Sequence, residues 1–217
     1  MHTIPASQVL DRIQESGIIA IIRGNFPLER LHAIVNALYH GGLTVVELTL
    51  NSPVALQGIA ALRDAVPESM LIGAGTVRTA SDVELAINAG AQFLISPNFD
   101  PESVKYSGDA GVLHMPGVFT ASEAQAAYAA GCPVVKLFPA GALGPSYLKA
   151  LRAPLNDIGF VPTGGIDVET AADFLHAGAL ALGVGSSLVS GPDQDLQDVS
   201  DRAIRFATAV KEARQAE

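Results

Sequence analysis

The chain is 217 residues long, with 49% hydrophobic and 16% charged residues, the balance of a globular protein with a sizeable core. Its 13 basic residues face 22 acidic ones for a formal charge of −9, which excludes a general nucleic-acid or acidic-membrane binder, since both need basic surface. A single cysteine, Cys132, excludes an internal disulfide and reads as a small apolar filler. No secretory leader pattern and no apolar run long enough to span a bilayer is legible, so the expectation is a cytoplasmic protein.

Pro5 to Ser16 reads as a first helix, and Ile18 to Ile22 as the first of eight short apolar runs. The others are Thr44 to Leu48, Met70 to Gly73, Gln92 to Ile95, Val112 to Met115, Val134 to Leu137, Gly159 to Val161 and Ala179 to Gly183. Ala-rich, polar-studded segments lie between them. Pro27-Leu28-Glu29, Ser52-Pro53, Thr79-Ala80-Ser81-Asp82, Asp100-Pro101-Glu102, Thr120-Ala121-Ser122-Glu123 and Asp167-Val168-Glu169 carry the cap, first-turn proline and early-acid signals of helix starts. Gly41, Gly90, Gly111, Gly131 and Gly178 stand where helices want a left-handed C′ residue. A last helix runs from Leu196 to Ala213.

Strands this apolar are buried on both faces, as in a parallel sheet covered by helices. The βα module recurs about eight times without a linker, which predicts one domain over 1–217, a (β/α)8 TIM barrel whose extra N-terminal helix caps the bottom. An open doubly wound sheet is the competing architecture. Its pyrophosphate fingerprint is missing, because Gly73-Ala74-Gly75-Thr76-Val77-Arg78 has arginine where the third glycine belongs.

In such barrels chemistry collects at the C-terminal ends of the strands. The polar residues there are Arg23, Glu47, Asn51, Thr76, Asn98, Lys136, Thr163 and Ser186. Lys136 sits in Val134-Val135-Lys136-Leu137-Phe138-Pro139-Ala140, where desolvation lowers an ammonium pKa and yields an amine nucleophilic toward carbonyls. Glu47, in the equally apolar Val45-Val46-Glu47-Leu48, can share its mouth and serve as a general acid/base. A lysine whose head reaches water from a strand end, or a structural Glu47–Lys136 ion pair, is the plainer reading of these residues. Arg23-Gly24 allows an anion to approach the backbone. Pro162-Thr163-Gly164-Gly165-Ile166 and Gly183-Val184-Gly185-Ser186-Ser187 follow the seventh and eighth predicted strands, where barrels often hold a phosphate on backbone N–H groups and a short helix N-terminus. His2, His32, His40, His114 and His176 show no ligand spacing, so no metal or other cofactor is expected.

Glu47-Leu48-Thr49-Leu50, Ile72-Gly73-Ala74-Gly75-Thr76-Val77, Ser96-Pro97-Asn98, Met115-Pro116-Gly117-Val118, Lys136-Leu137-Phe138-Pro139-Ala140, Pro162-Thr163-Gly164-Gly165 and Gly185-Ser186 occur in order. In this they resemble the 2-dehydro-3-deoxy-6-phosphogluconate (KDPG) aldolases, class I aldolases on a (β/α)8 barrel. The resemblance implies cleavage of a phosphorylated keto acid to pyruvate and glyceraldehyde 3-phosphate, in a homotrimer. It puts the Schiff-base amine on Lys136, proton shuttling on Glu47, the pyruvate carboxylate on Arg23 and Thr76, the substrate chain on Thr163, and the phosphate on Gly164, Gly165, Gly185 and Ser186. Two features bear on the sugar acid. Asn51-Ser52-Pro53 replaces an arginine of some gluconate-type members and is similar to the phosphogalactonate branch, whereas Thr163 is of gluconate type. A 4-hydroxy-2-oxoglutarate aldolase activity is a further alternative. Outside this chemistry stand a sugar-phosphate epimerase or isomerase and a non-catalytic phospholigand-binding barrel, neither of which needs Lys136 as a nucleophile.

Overall fold

The structure, a computed structural model, describes residues 4–215, so that His2 lies outside the described residues. Helix α1 (Ala6–Ser16) leads into β1 (Ile18–Ile22), α2 (Leu28–His40), β2 (Val45–Thr49), α3 (Ala55–Ala65), β3 (Leu71–Gly75), α4 (Ala80–Asn88) and β4 (Phe93–Ile95). Then come α5 (Pro101–Asp109), β5 (Leu113–Met115), β6 (Gly117–Val118), α6 (Ala121–Ala129) and β7 (Val134–Leu137). A 3-10 turn at Ala140–Ala142 leads to α7 (Gly144–Arg152), β8 (Gly159–Pro162), α8 (Val168–His176), β9 (Leu182–Val184) and α9 (Leu196–Gln215).

The fold is α/β and TIM-like. Six strands form a curled parallel sheet in the order β5-β4-β3-β2-β1-β9, and β6-β7-β8 form a second parallel sheet. Strand order follows the chain without the reversal of a doubly wound sheet. The fifth predicted strand, Val112 to Met115, stops before Pro116, whose missing N–H interrupts a ladder, and a second short strand follows it. Before it β5 pairs with β4; beyond it β6 pairs with β7. An isolated parallel bridge joins Thr163, just after β8, to Gly183 of β9.

Successive side chains of a strand point to opposite faces, and the apolar ones fall into two layers accordingly. Ile19, Val45, Leu71, Phe93, Leu113 and Val134 converge on the concave face, where they meet Val9 and Ile13 of α1. Ile18, Ala20, Ile22, Val46, Leu48 and Val135 point the other way, into the helix layer. The capping signals work locally. Thr79, Thr120 and Asp167 each form a reciprocal capping box, and Asp100 accepts from Ser103 N at the start of α5, satisfying first-turn N–H groups.

Two local expectations are corrected. Ser52-Pro53 does not start a helix: α3 begins at Ala55 without a side-chain cap, because the Ser52 hydroxyl accepts from Gly24 N (3.0 Å) instead. Gly41 is not the left-handed residue after α2; Gly42 is, with φ 89°. Gly41 is needed for space, since a Cβ there would overlap Ala203 on α9. Among the described residues no helix is long and apolar enough to cross a membrane.

Candidate active site

Strand periodicity aims the two charges. Val45 and Val134 lie in the concave cluster, so Glu47 and Lys136, two residues further along β2 and β7, point to the same side. Glu47 is 0% exposed and Lys136 2% exposed. Neither Glu47 oxygen has a hydrogen-bond partner, and a buried polar group in that condition calls for an explanation. The contact ion pair considered from sequence does not form, since Lys136 Nζ stays beyond 4.0 Å from the Glu47 oxygens. Nor is Lys136 a solvent-exposed strand end, since the whole residue is 2% exposed.

Burial pushes the Glu47 carboxyl up to about 7, while Lys136 and Arg23 pull it back down. Burial lowers the Lys136 ammonium, Glu47 opposes that shift and Arg23 adds to it. The three side chains therefore lie within each other's fields. The Lys136 Nζ stands 4.8 Å from the centroid of the Phe138 ring. Phe138 follows β7 directly, a neighbour that period-two reading of Lys136-Leu137-Phe138 would have picked out.

Above this pair lies a cavity of about 230 Å³ lined by Arg23, Phe138, Thr163, Gly164, Gly165, Gly185 and Ser186. Six of the sequence-predicted residues thus share one wall, with Lys136 and Glu47 buried outside the lining. Gly164 and Gly165 have φ of 86° and 75°, conformations natural to glycine. A Cβ on Gly165 would also press on Gly141, whose N–H donates to Gly164 O (2.7 Å). The backbone N–H groups of Gly165 and Ser186 have no acceptor among the described residues, so the loops after β8 and β9 each leave a free donor at this cavity. The short helix expected after the eighth strand is absent from the described residues. A turn stands there instead, closed by Leu188 N and Val189 N donating to Gly185 O (both 2.9 Å), and Ser187 Oγ ties it to Ile166 O (2.7 Å).

Glycines also make room for the polar residues. A Cβ on Gly75 would overlap Glu47 Oε1, and one on Gly183 would overlap Thr163 Oγ1. Thr76 follows β3 half-buried, with a left-handed φ of 59°, and does not line the cavity. Asn51 and Asn98 are exposed and also stand away from its wall. Ser52, read from sequence as a cap, instead fastens the Arg23-Gly24 loop to β2 through Gly24 N and Thr49 Oγ1 (3.1 Å). Among the described residues no group of three or more His, Cys, Asp or Glu is arranged to hold a metal ion.

A family profile described as "KDPG and KHG aldolase" matches residues 9–202. The chain is 40% identical over 205 residues to a Rhizobium meliloti protein named "Probable 2-dehydro-3-deoxy-6-phosphogalactonate aldolase", covering 92% of this chain and 96% of that one. It is 37% identical over 178 residues to a Treponema pallidum 2-dehydro-3-deoxy-phosphogluconate aldolase, covering 81% and 82%. A solved KDPG aldolase from Legionella pneumophila, with pyruvate captured as a covalent carbinolamine, superposes with a TM-score of 0.85 at 30% identity over 91% of this chain and 97% of that one. With a lysine and a glutamate buried beneath one cavity and this likeness running through nearly every strand, the chain belongs to the KDPG and KHG aldolase family of carbon–carbon lyases.

Proposed function

We propose that the protein is a class I aldolase that cleaves 2-dehydro-3-deoxy-6-phosphogluconate to pyruvate and glyceraldehyde 3-phosphate. The observation that carries the reading is the buried Lys136 amine, lowered in pKa, beside a Glu47 carboxyl whose oxygens have no other partner. Lys136 attacks the C2 ketone, and Glu47 supplies the proton that takes the carbinolamine hydroxyl away as water. The resulting iminium draws in the C3–C4 bonding pair as the C4 hydroxyl gives up its proton, releasing glyceraldehyde 3-phosphate and leaving an enamine. Protonation at C3 and hydrolysis then free pyruvate and the amine. A carboxyl near 7 suits both directions of transfer at neutral pH.

Arg23 and Thr76 take the substrate carboxylate, Thr163 the chain, and Gly164, Gly165, Gly185 and Ser186 the phosphate. The unpaired N–H groups of the two glycine loops support the phosphate assignment. The two sheets close as one (β/α)8 barrel in a single domain. The Thr163–Gly183 bridge supports closure on one side, and Lys136 N donating to Pro116 O (2.9 Å) on the other. Homotrimeric assembly and cytoplasmic residence complete the reading, supported by the family likeness and the lone buried thiol.

The test is borohydride reduction in the presence of pyruvate, followed by mass spectrometry. A pyruvate-derived adduct on Lys136, lost with all cleavage in Lys136→Ala, is the expected outcome; an inactive Lys136→Ala that still gains the adduct refutes the role. An epimerase or a binding barrel gains none. The galactonate epimer is the second reading, favoured by Asn51-Ser52-Pro53 and the 40% identical relative, whereas Thr163 favours gluconate. Cleavage rates on the two epimers, side by side, decide between them.

A further inference from the structure

Thr76 is the one non-glycine residue with positive φ among the described residues. A β-branched side chain in the left-handed region is strained and persists only where its surroundings over-determine it. The surroundings are specific. Before Thr76, Gly75 O accepts from Leu50 N (2.8 Å). After it, Val77 N donates to Ile95 O (3.1 Å), and Val77 O accepts from the Ser96 hydroxyl. Ser96 is 2% exposed and does not act alone. Its Oγ lies 2.6 Å from His114 Nε2, and His114 Nδ1 lies 3.0 Å from Ser107 Oγ on α5.

His114 alternates with Leu113 and Met115, which face the concave cluster, so its ring points into the helix layer and takes no part in the chemistry proposed above. Since Ser96 spends its only O–H on Val77 O, it must accept from His114 Nε2–H. Nδ1 faces the Ser107 hydroxyl, which also reaches Val104 O (2.9 Å) and so ties the ring to α5. Burial keeps this ring neutral, lowering it to about 4 against opposing contributions from Ser103 and Asp100. Three buried polar side chains, on α5, on β5 and just after β4, thus stand in a row of which Ser96 holds the carbonyl next to the strained residue.

We propose that Ser96, held by His114 and Ser107, is a positioning residue that fixes Thr76 in its left-handed conformation and so orients its hydroxyl for the substrate carboxylate. This rests on the assignment of Thr76 to that carboxylate. The readout is the pyruvate concentration giving half-maximal borohydride trapping on Lys136, measured with the maximal trapping rate. Loss of one buried hydrogen bond predicts a rise of about tenfold in that concentration for Ser96→Ala, with the maximal rate nearly unchanged. Ser96→Cys, which keeps the volume but donates weakly, shows the same defect and serves if the alanine variant does not fold.

In the Thr76→Val background, Ser96→Ala adds little, because the hydroxyl it positions is gone. Wild-type half-saturation in Ser96→Cys, or full additivity with Thr76→Val, overturns the proposal while leaving the Thr76 assignment intact. If Thr76→Val itself binds pyruvate normally while Lys136 still traps it, the carboxylate assignment fails. The positioning role fails with it, and the Schiff-base reading stands.

Discussion

Glu47 carries a carboxyl into a place where neither oxygen finds a donor, and such a group has a consequence for stability. Its folded pKa is raised to about 7 from an ordinary value of 4.5, by burial first. Below pH 4.5 the carboxyl is protonated whether the chain is folded or not. As pH rises from there to about 7 the unfolded chain gives up this proton and the folded one keeps it, so the group lowers stability progressively across that window. Glu47→Gln removes the titration. Its stability relative to the wild type is expected to improve by roughly 1–3 kcal/mol between pH 4.5 and pH 8, as urea unfolding at several pH values measures. A constant difference across that range would falsify the raised pKa. On the role proposed for Glu47, the same variant is expected to lose most aldol turnover, a trade of activity for stability.

At the scale of the strand, the site depends on what β3 lacks as much as on what β2 and β7 carry. The register pairs Glu47 with Gly73, and Gly75 leaves the volume that the Glu47 carboxylate occupies. Gly75→Ala sets a methyl against Oε1. The strand itself tolerates alanine, so the expected result is an unchanged circular dichroism spectrum with cleavage reduced more than about tenfold, the cost of a small misplacement of a catalytic group. Gly183 stands in the same relation to Thr163 on β9. Full activity in Gly75→Ala means that the carboxylate position is not what the chemistry uses.

Over the whole molecule, α9 holds the two ends of the described chain together. Val199, Ala203, Phe206 and Val210 are its buried face, packed with α2, α8 and β1. Arg214 donates to Glu15 O (2.8 Å) and Gln14 O (2.5 Å), covering the last carbonyls of α1. This cation at a helix C-terminus also interacts favourably with its dipole. Phe206 is 2% exposed, and Phe206→Ala is expected to cost about 3–5 kcal/mol through lost burial and the cavity left behind. Thermal unfolding measures that loss. Lys136 lies on a different layer, so trapping of pyruvate well below the melting temperature stays intact. A variant that loses trapping while folded shows instead that α9 shapes the site directly.

Much of this was legible in the sequence because it is local. Apolar runs at period two, capping boxes within four residues and glycines at helix ends are set by backbone geometry, so elements and most of their ends follow from the string alone. The polar residues at strand ends were legible for the same reason, and Glu47 and Lys136 stood out as charges inside apolar runs. What the string does not hold is the identity of a distant partner. Ser52 has the look of a cap, yet accepts from Gly24. Gly41 has the look of a helix end, yet is required by Ala203 on α9. The Val112 to Met115 run extends as a second short strand past Pro116 because its two halves have different neighbours. Ser96 stands in a motif of the resemblance, but nothing in the string joins it to His114 and Ser107. Composition, periodicity and motif order determined that this is a TIM-like α/β chain with a lysine and a glutamate at its strand ends. Only the tertiary structure decided that the two are buried without touching and that a neutral histidine stands behind the strained Thr76 loop, because hydrogen bonds and burial depend on what the rest of the chain brings near.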